Sequence, residues 1–137
     1  MTNHDSITLS QKLIQFPSFS GKDEKVINFL SQHLSNLGFT CETLEYDGDG
    51  SYPVNNLHAV LNPNNAEKIL YFAGHTDVVA AGNIDSWSHD PFAATITDGK
   101  LIGRGAVDMK CAIACFISAV EEFLKSDKLT NFGIGFL

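Results

Sequence analysis

Lys68-Ile69-Leu70-Tyr71-Phe72-Ala73-Gly74-His75-Thr76-Asp77 decides the fold. After its first residue the run Lys68–Ala73 is apolar without alternation. A strand covered on both faces, as in a helix-flanked sheet, reads this way, so a central strand is expected here. In open α/β sheets, ligand sites form at the carboxyl ends of strands. His75 and Asp77 therefore emerge where a site belongs. They are two apart, and in extended chain residues i and i+2 point to one side. A neutral imidazole nitrogen is a good zinc ligand, and a neighbouring carboxylate can fix its tautomer and raise its basicity.

Working outward, helical spacing predicts a short helix from Ser6 to about Gln15, ended by Phe16-Pro17 because proline pushes the preceding residue out of helical space. Val26, Leu30, Leu34 and Leu37 predict a second helix over 23–37, with Gly38 as a left-handed stop. Strands are expected over 39–46, 57–61 and 131–137. Turns are expected at 47–51 and 62–65. Asp98-Gly99 between 93–97 and 100–102 is a hairpin signal. Ile113, Phe116, Ile117, Val120 and Leu124 give a long helix over 109–125 its apolar stripe. The elements add up to an α/β sandwich on a mixed sheet, with strands 68–73 and 131–137 parallel and the long helix between them.

Length suits one domain. The 137 residues carry 16 acidic and 9 scattered basic side chains, a net charge of −7. That balance argues against a nucleic-acid partner, which requires clustered Lys and Arg. No apolar run approaches a membrane span. The polar opening Met1–Asp5 lacks a basic and apolar leader. Cys41, Cys111 and Cys115 have no framework spacing, so they are expected to be reduced thiols in a cytoplasmic protein. Cys111 and Cys115, four apart on the long helix, are expected to pack as small apolar residues rather than share a metal.

A second element is Gly103-Arg104-Gly105-Ala106-Val107-Asp108-Met109-Lys110. Two glycines around an arginine indicate a sharp turn or a close approach of backbone. Asp108 stands just before the long helix, where a capping role competes with a ligand role. Arg104 and Lys110 are the nearest cations and are expected to pair with the carboxylates. His89 is expected near the mouth of the site. Glu121 and Glu122, about three turns along the helix and so roughly 20 Å from Asp108, are expected on a solvated face.

Taken together, Gly74-His75-Thr76-Asp77-Val78-Val79, Gly82, Ser86–Phe92, Asp98–Leu101 and Gly103–Lys110 resemble the di-zinc metallopeptidase and amidohydrolase family. That family holds succinyl-diaminopimelate desuccinylases, acetylornithine deacetylases and carboxypeptidase G-like enzymes. The stretch Asn83–Phe92 is most similar to the desuccinylase branch, and Phe16–Ser20 also fits the family pattern.

The resemblance implies a zinc-exopeptidase-like mixed-sheet sandwich, with 1–137 as the N-terminal portion of the catalytic domain. It implies His75 and Asp108 as metal ligands, Asp108 bridging two Zn2+ or Co2+ ions, and Asp77 as the catalytic residue that orients His75. The peptide after the family's bridging aspartate is usually cis. Two metals about 3.5–4 Å apart lower the pKa of a shared water, while a glutamate moves its proton. The substrate would be a small N-acyl amino acid. The family's Glu-Glu pair, its further acidic and histidine ligands and its dimerisation domain would all lie beyond residue 137. The 137 residues alone are therefore expected to be inactive and to bind metal weakly. Cys111 replaces the family's usual glycine, and Ala80-Ala81 a proline-containing turn.

Overall fold

The computed structural model describes residues 6–22, 24–47, 52–62, 66–126 and 131–137. The turn expected over 47–51 falls outside them except for Asp47, and the connection expected over 62–65 except for Asn62. The start of the second helix at Asp23 also lies outside the described residues.

Helix α1 spans Ser6–Ile14 and buries Leu9, Leu13 and Ile14. Helix α2 spans Glu24–Asn36. It stops as expected, because Gly38 takes φ +93° and Phe39 N–H bonds back to the Leu34 carbonyl at 3.1 Å. Strands β1 (Thr40–Tyr46), β2 (Val54–Leu61), β3 (Lys68–Phe72) and β6 (Phe132–Phe136) form one sheet in the order β1-β2-β6-β3. The pairings β1–β2 and β2–β6 are antiparallel, and β3–β6 is parallel as expected. Strands β4 (Thr95–Thr97) and β5 (Lys100–Ile102) form a separate hairpin. Its turn residues Asp98 and Gly99 take φ +48° and +71°, the left-handed pair that a two-residue hairpin turn needs.

Leu9 and Leu13 of α1, Val26, Leu30 and Leu34 of α2, and Ile113 and Ile117 of α3 (Cys111–Leu124) pack with Leu57, Ala59, Ile134 and Phe136 of the sheet. This is the α/β architecture expected from the chain.

The position of β3 departs from expectation. Lys68–Phe72 is an edge strand with β6 as its sheet neighbour among the described residues, and Leu70 and Tyr71 are 60% and 40% exposed. The strand buried in the middle is β6, whose Gly133, Ile134, Gly135 and Phe136 are all buried. A non-alternating apolar run marks a strand of a layered sheet, but it does not say how many neighbours the strand has. Gly135 explains how β6 accommodates its neighbour: the Tyr71 ring occupies the space that a Cβ there would need.

The long helix also begins later than expected. Residues Ala106–Lys110 form an irregular, kinked turn, with Asp108 at φ −131°, ψ 93° and Met109 at φ −138°, ψ 29°. Helix α3 then starts at Cys111, with Lys110 in the capping position. Asp108 is therefore not its cap. The Asp108–Met109 peptide is cis. The packing expected of the two helix cysteines holds only in part. Cys111 is partly buried but Cys115 is exposed, and all three thiols are free. No helix of the described residues is long and apolar enough to cross a membrane.

Candidate metal and catalytic site

Two loops and one short segment build the site. The first loop leaves β3 at Ala73. Its entry is fixed by two backbone bonds to the chain beyond β6: Leu137 N–H donates to the Phe72 carbonyl at 3.0 Å, and Gly74 N–H to the Leu137 carbonyl at 2.9 Å. The second loop is the kinked turn before α3. Gly105 supplies φ +83° there, and a Cβ on it would stand 2.6 Å from Val78 Cγ1. A Cβ on Gly103 would collide with Ile14 Cγ2. The two glycines around Arg104 are thus required by a left-handed turn and by close packing, as their spacing suggested.

His75 and Asp108, 33 positions apart in sequence, meet where these loops converge. The Asp108 Oδ1 lies 3.0 Å from His75 Nε2, and Asp77 Oδ1 lies 3.2 Å from His75 Nδ1. The Asp77 carbonyl is also near Nδ1, at 3.3 Å. A neutral imidazole has one N–H, yet carboxylate oxygens face both ring nitrogens, so only the imidazolium satisfies both. Burial pushes the His75 pKa down. The Asp108 hydrogen bond, the Asp77 carbonyl and the two negative charges outweigh that, and the net shift is upward.

The consequence for stability has a definite sign. A folded-state pKa above the unfolded one stabilises the fold at pH below the unfolded value, and the gain is lost as pH rises through the folded value. The His75 side chain is 47% exposed, so the effect is small. Urea midpoints of the wild type relative to His75→Gln should fall between about pH 5 and 8, the range in which histidine titrates. A flat difference would contradict the geometry.

A cation other than a proton can take the same place. Zinc bonds of about 2.0–2.1 Å in tetrahedral geometry put two donors roughly 3.3 Å apart, close to the observed 3.0 Å. His75 Nε2 and Asp108 Oδ1 therefore fit one metal as a pair of donors. Zinc sites use three or four protein donors. Among the described residues no group of three or more His, Cys, Asp or Glu side chains stands ready to hold one.

The cations do not pair with these carboxylates as expected. Arg104 places its guanidinium over the Trp87 ring, 5.3 Å from the centroid, and its Nε is buried without a hydrogen-bond partner. Lys110 is fully buried, and its Nζ donates to the Phe16 carbonyl at 2.6 Å. Burial pushes its pKa down to about 8, against the opposing pull of the Asp77 charge. His89 sits beside Ser88, with Nδ1 3.1 Å from Ser88 Oγ, and is not among the residues lining the neighbouring cleft. Glu122 is exposed and pairs with Lys125 at 2.7 Å. Glu121 departs from expectation: it is 15% exposed and meets His33 of α2 at 2.8 Å, tying two helices together.

A cleft of about 220 Å³ opens beside His75 and Asp77. Ser20, Gly21 and Tyr52 line one part of it, and apolar side chains including Ile27, Leu57 and Phe72 line the rest. Sequence spacing did not single out Ser18, Ser20 or Lys110 for the parts they play. Phe16–Ser20 stood out only as a fragment of a pattern, since nothing local to it shows which loop it touches.

Comparison with known proteins bears on this arrangement. Residues 71–137 match the model of peptidase family M20/M25/M40. Over all its residues the chain is 44% identical to the succinyl-diaminopimelate desuccinylase of Pelagibacter ubique, and it covers 35% of that protein. Over 86% of its residues it is 51% identical to the enzyme of the same name from Ehrlichia ruminantium, covering 30% of it. It superposes with a TM-score of 0.80 on the M20 family metallo-carboxypeptidase of Sulfolobus solfataricus, at 25% identity, covering 96% of this chain and 30% of that one. Human carnosine dipeptidase 1 gives a TM-score of 0.81 at 25% identity, with 98% and 31% covered. The chain spans about a third of the length of the curated relatives it matches.

Proposed function

We propose, from a chain that carries the M20/M25/M40 peptidase pattern over residues 71–137, that it is the N-terminal portion of the catalytic domain of a metal-dependent amide hydrolase. Its substrate is N-succinyl-L,L-diaminopimelate, which it cleaves with water to succinate and L,L-diaminopimelate. One observation carries the metal part of this reading. His75 Nε2 and Asp108 Oδ1, from separate loops, converge to 3.0 Å while Asp77 holds the other ring nitrogen. The substrate part rests on the likeness to desuccinylases over most of the chain.

His75 and Asp108 would hold the metal, Zn2+ or Co2+, and Asp77 would orient His75 and set its tautomer. When bound, such ions lower the pKa of a water and polarise the amide carbonyl. The remaining ligands and the general base would belong to the part of the relatives that these 137 residues do not cover. A homodimer is part of the proposal on the same footing. A cytoplasmic location is supported by the free thiols of Cys41, Cys111 and Cys115.

The test is complementation. The 137-residue chain is mixed or co-expressed with the uncovered remainder of a desuccinylase relative, with Zn2+ or Co2+ present, and succinate release is followed. Release is expected from the mixture, none from the chain alone, and none with His75→Ala. Faster cleavage of N-acetylornithine would favour a deacetylase. No release of any acyl group by the mixture would leave a non-catalytic interaction module. A second expectation concerns metal alone. With two donors, Zn2+ binding to the chain should be weak, and calorimetry giving a stoichiometric sub-micromolar site would contradict the ligand count.

A further inference from the structure

Ser20 makes a contact that the proposed metal centre depends on. Its Oγ donates to Asp77 Oδ2 at 2.7 Å, while Asp77 Oδ1 faces His75 Nδ1 at 3.2 Å. The two oxygens of one carboxylate are thus engaged in different directions. Aiming both oxygens at fixed partners requires one χ1 rotamer as well as one setting of the broad, roughly two-fold terminal torsion, and a single partner leaves both free to change. A second partner restricts that rotation.

Ser20 is itself held in place. Ser18, 2% exposed, donates its Oγ to the Thr76 carbonyl at 2.6 Å, and its own carbonyl accepts from Val78 N–H at 2.8 Å. Phe19 and Val78 form a parallel bridge. The Phe16 carbonyl accepts from Lys110 Nζ at 2.6 Å, two residues beyond Asp108. After Ser20 the chain turns away at Gly21, φ +78°, where a Cβ would stand 2.7 Å from the Tyr52 ring. The segment from Phe16 to Gly21 therefore touches both loops of the site, the one bearing His75 and Asp77 and the one bearing Asp108.

We infer that Ser20 is a positioning residue: through Asp77 it sets the orientation of the His75 ring and so the direction of the Nε2 lone pair toward the metal. The inference rests on the metal-centre reading above. Groups that orient a metal-binding histidine typically change metal affinity by about 10- to 100-fold when removed. Ser20 acts one step further out, so the lower end, about tenfold, is expected for its loss.

The test compares the wild-type chain with Ser20→Ala and Ser20→Thr. Ser20 is exposed, so both variants should fold, and amide spectra check this. The first measurement needs no metal. Three-bond couplings that report the χ1 angle of Asp77 should show one rotamer in the wild type and in Ser20→Thr, and averaging in Ser20→Ala. The second is a Zn2+ titration followed on the ring nitrogens of His75. Apparent affinity should fall about tenfold in Ser20→Ala and return in Ser20→Thr, which restores the hydroxyl. Unchanged couplings in Ser20→Ala would overturn the inference. So would averaged couplings with unchanged affinity, since Ser20 would then hold Asp77 to no effect on the metal. The titration is repeated with the uncovered remainder of a desuccinylase relative present, and failure of all three proteins to bind Zn2+ in that mixture would sink the metal-centre reading, and with it the positioning role, whatever the couplings show.

Discussion

Replacing Phe136 by alanine is expected to destabilise the chain by about 3–5 kcal/mol, the usual loss for a buried aromatic truncated to alanine. Phe136 is 6% exposed and lies on the central strand, opposite Ala59 of β2 and Phe72 of β3. Its ring stands 5.5 Å from Phe39, 5.2 Å from Phe116 and 6.2 Å from Phe72, so it joins the sheet to the α3 side of the core. A domain's whole stability is about 5–15 kcal/mol, so this single loss removes a large share of it. The site should suffer as well, because the next residue, Leu137, bonds to Phe72 and Gly74 at the entry of the His75 loop. Urea midpoints measure the loss. Leu70→Ala, on the exposed edge strand, is the control and should stay within about 0.5 kcal/mol. Equal losses at both positions would contradict the sheet order described above.

Lys110 should impose a pH dependence of similar size. Burial holds its pKa at about 8 in the fold, partly offset by Asp77, against about 10.4 in the unfolded chain. Between these values the unfolded chain keeps a proton that the folded chain has lost, so stability rises with pH. Below about 8 both states are protonated, and above about 10.4 neither is, so the effect is confined to that window. At 1.36 kcal/mol per unit the rise approaches about 3 kcal/mol. Tyrosines and cysteines titrate in the same range, so the quantity to measure is the stability of the wild type minus that of Lys110→Met. That difference should climb by about 3 kcal/mol from pH 7 to pH 10.5. A difference that stays level would mean the ammonium is better solvated than its fully buried position implies.

What was readable in the residues was mostly local. Asp98-Gly99 specified its hairpin because a two-residue turn needs positive φ at both positions, and no distant contact can change that. Gly38 stopped α2 for a related reason. Helical spacing in α3 marked Ile113, Ile117 and Val120, all buried in the fold. The place of His75 at a strand's carboxyl end followed from the strand alone. Contacts between distant segments were not readable. Spacing offers no sign that Glu121 meets His33, 88 positions earlier, or that Lys110 reaches back 94 positions to the Phe16 carbonyl. Charge alone suggested that Lys110 and Arg104 would seek carboxylates. Packing gave Lys110 a carbonyl and Arg104 an indole ring instead.

By itself, then, the sequence determined the α/β class, the helices and hairpin, and the residue types able to hold a metal. Each of these depends on periodicity, on backbone preference at one or two residues, or on side-chain chemistry, all of which act over short range. Only the tertiary structure decided that β6 rather than β3 is central, that Lys110 rather than Asp108 takes the capping position of α3, and that Ser20 supports Asp77. These depend on which segments share a boundary once the core is packed. That choice is made by summed burial over the whole chain, so no short stretch carries it.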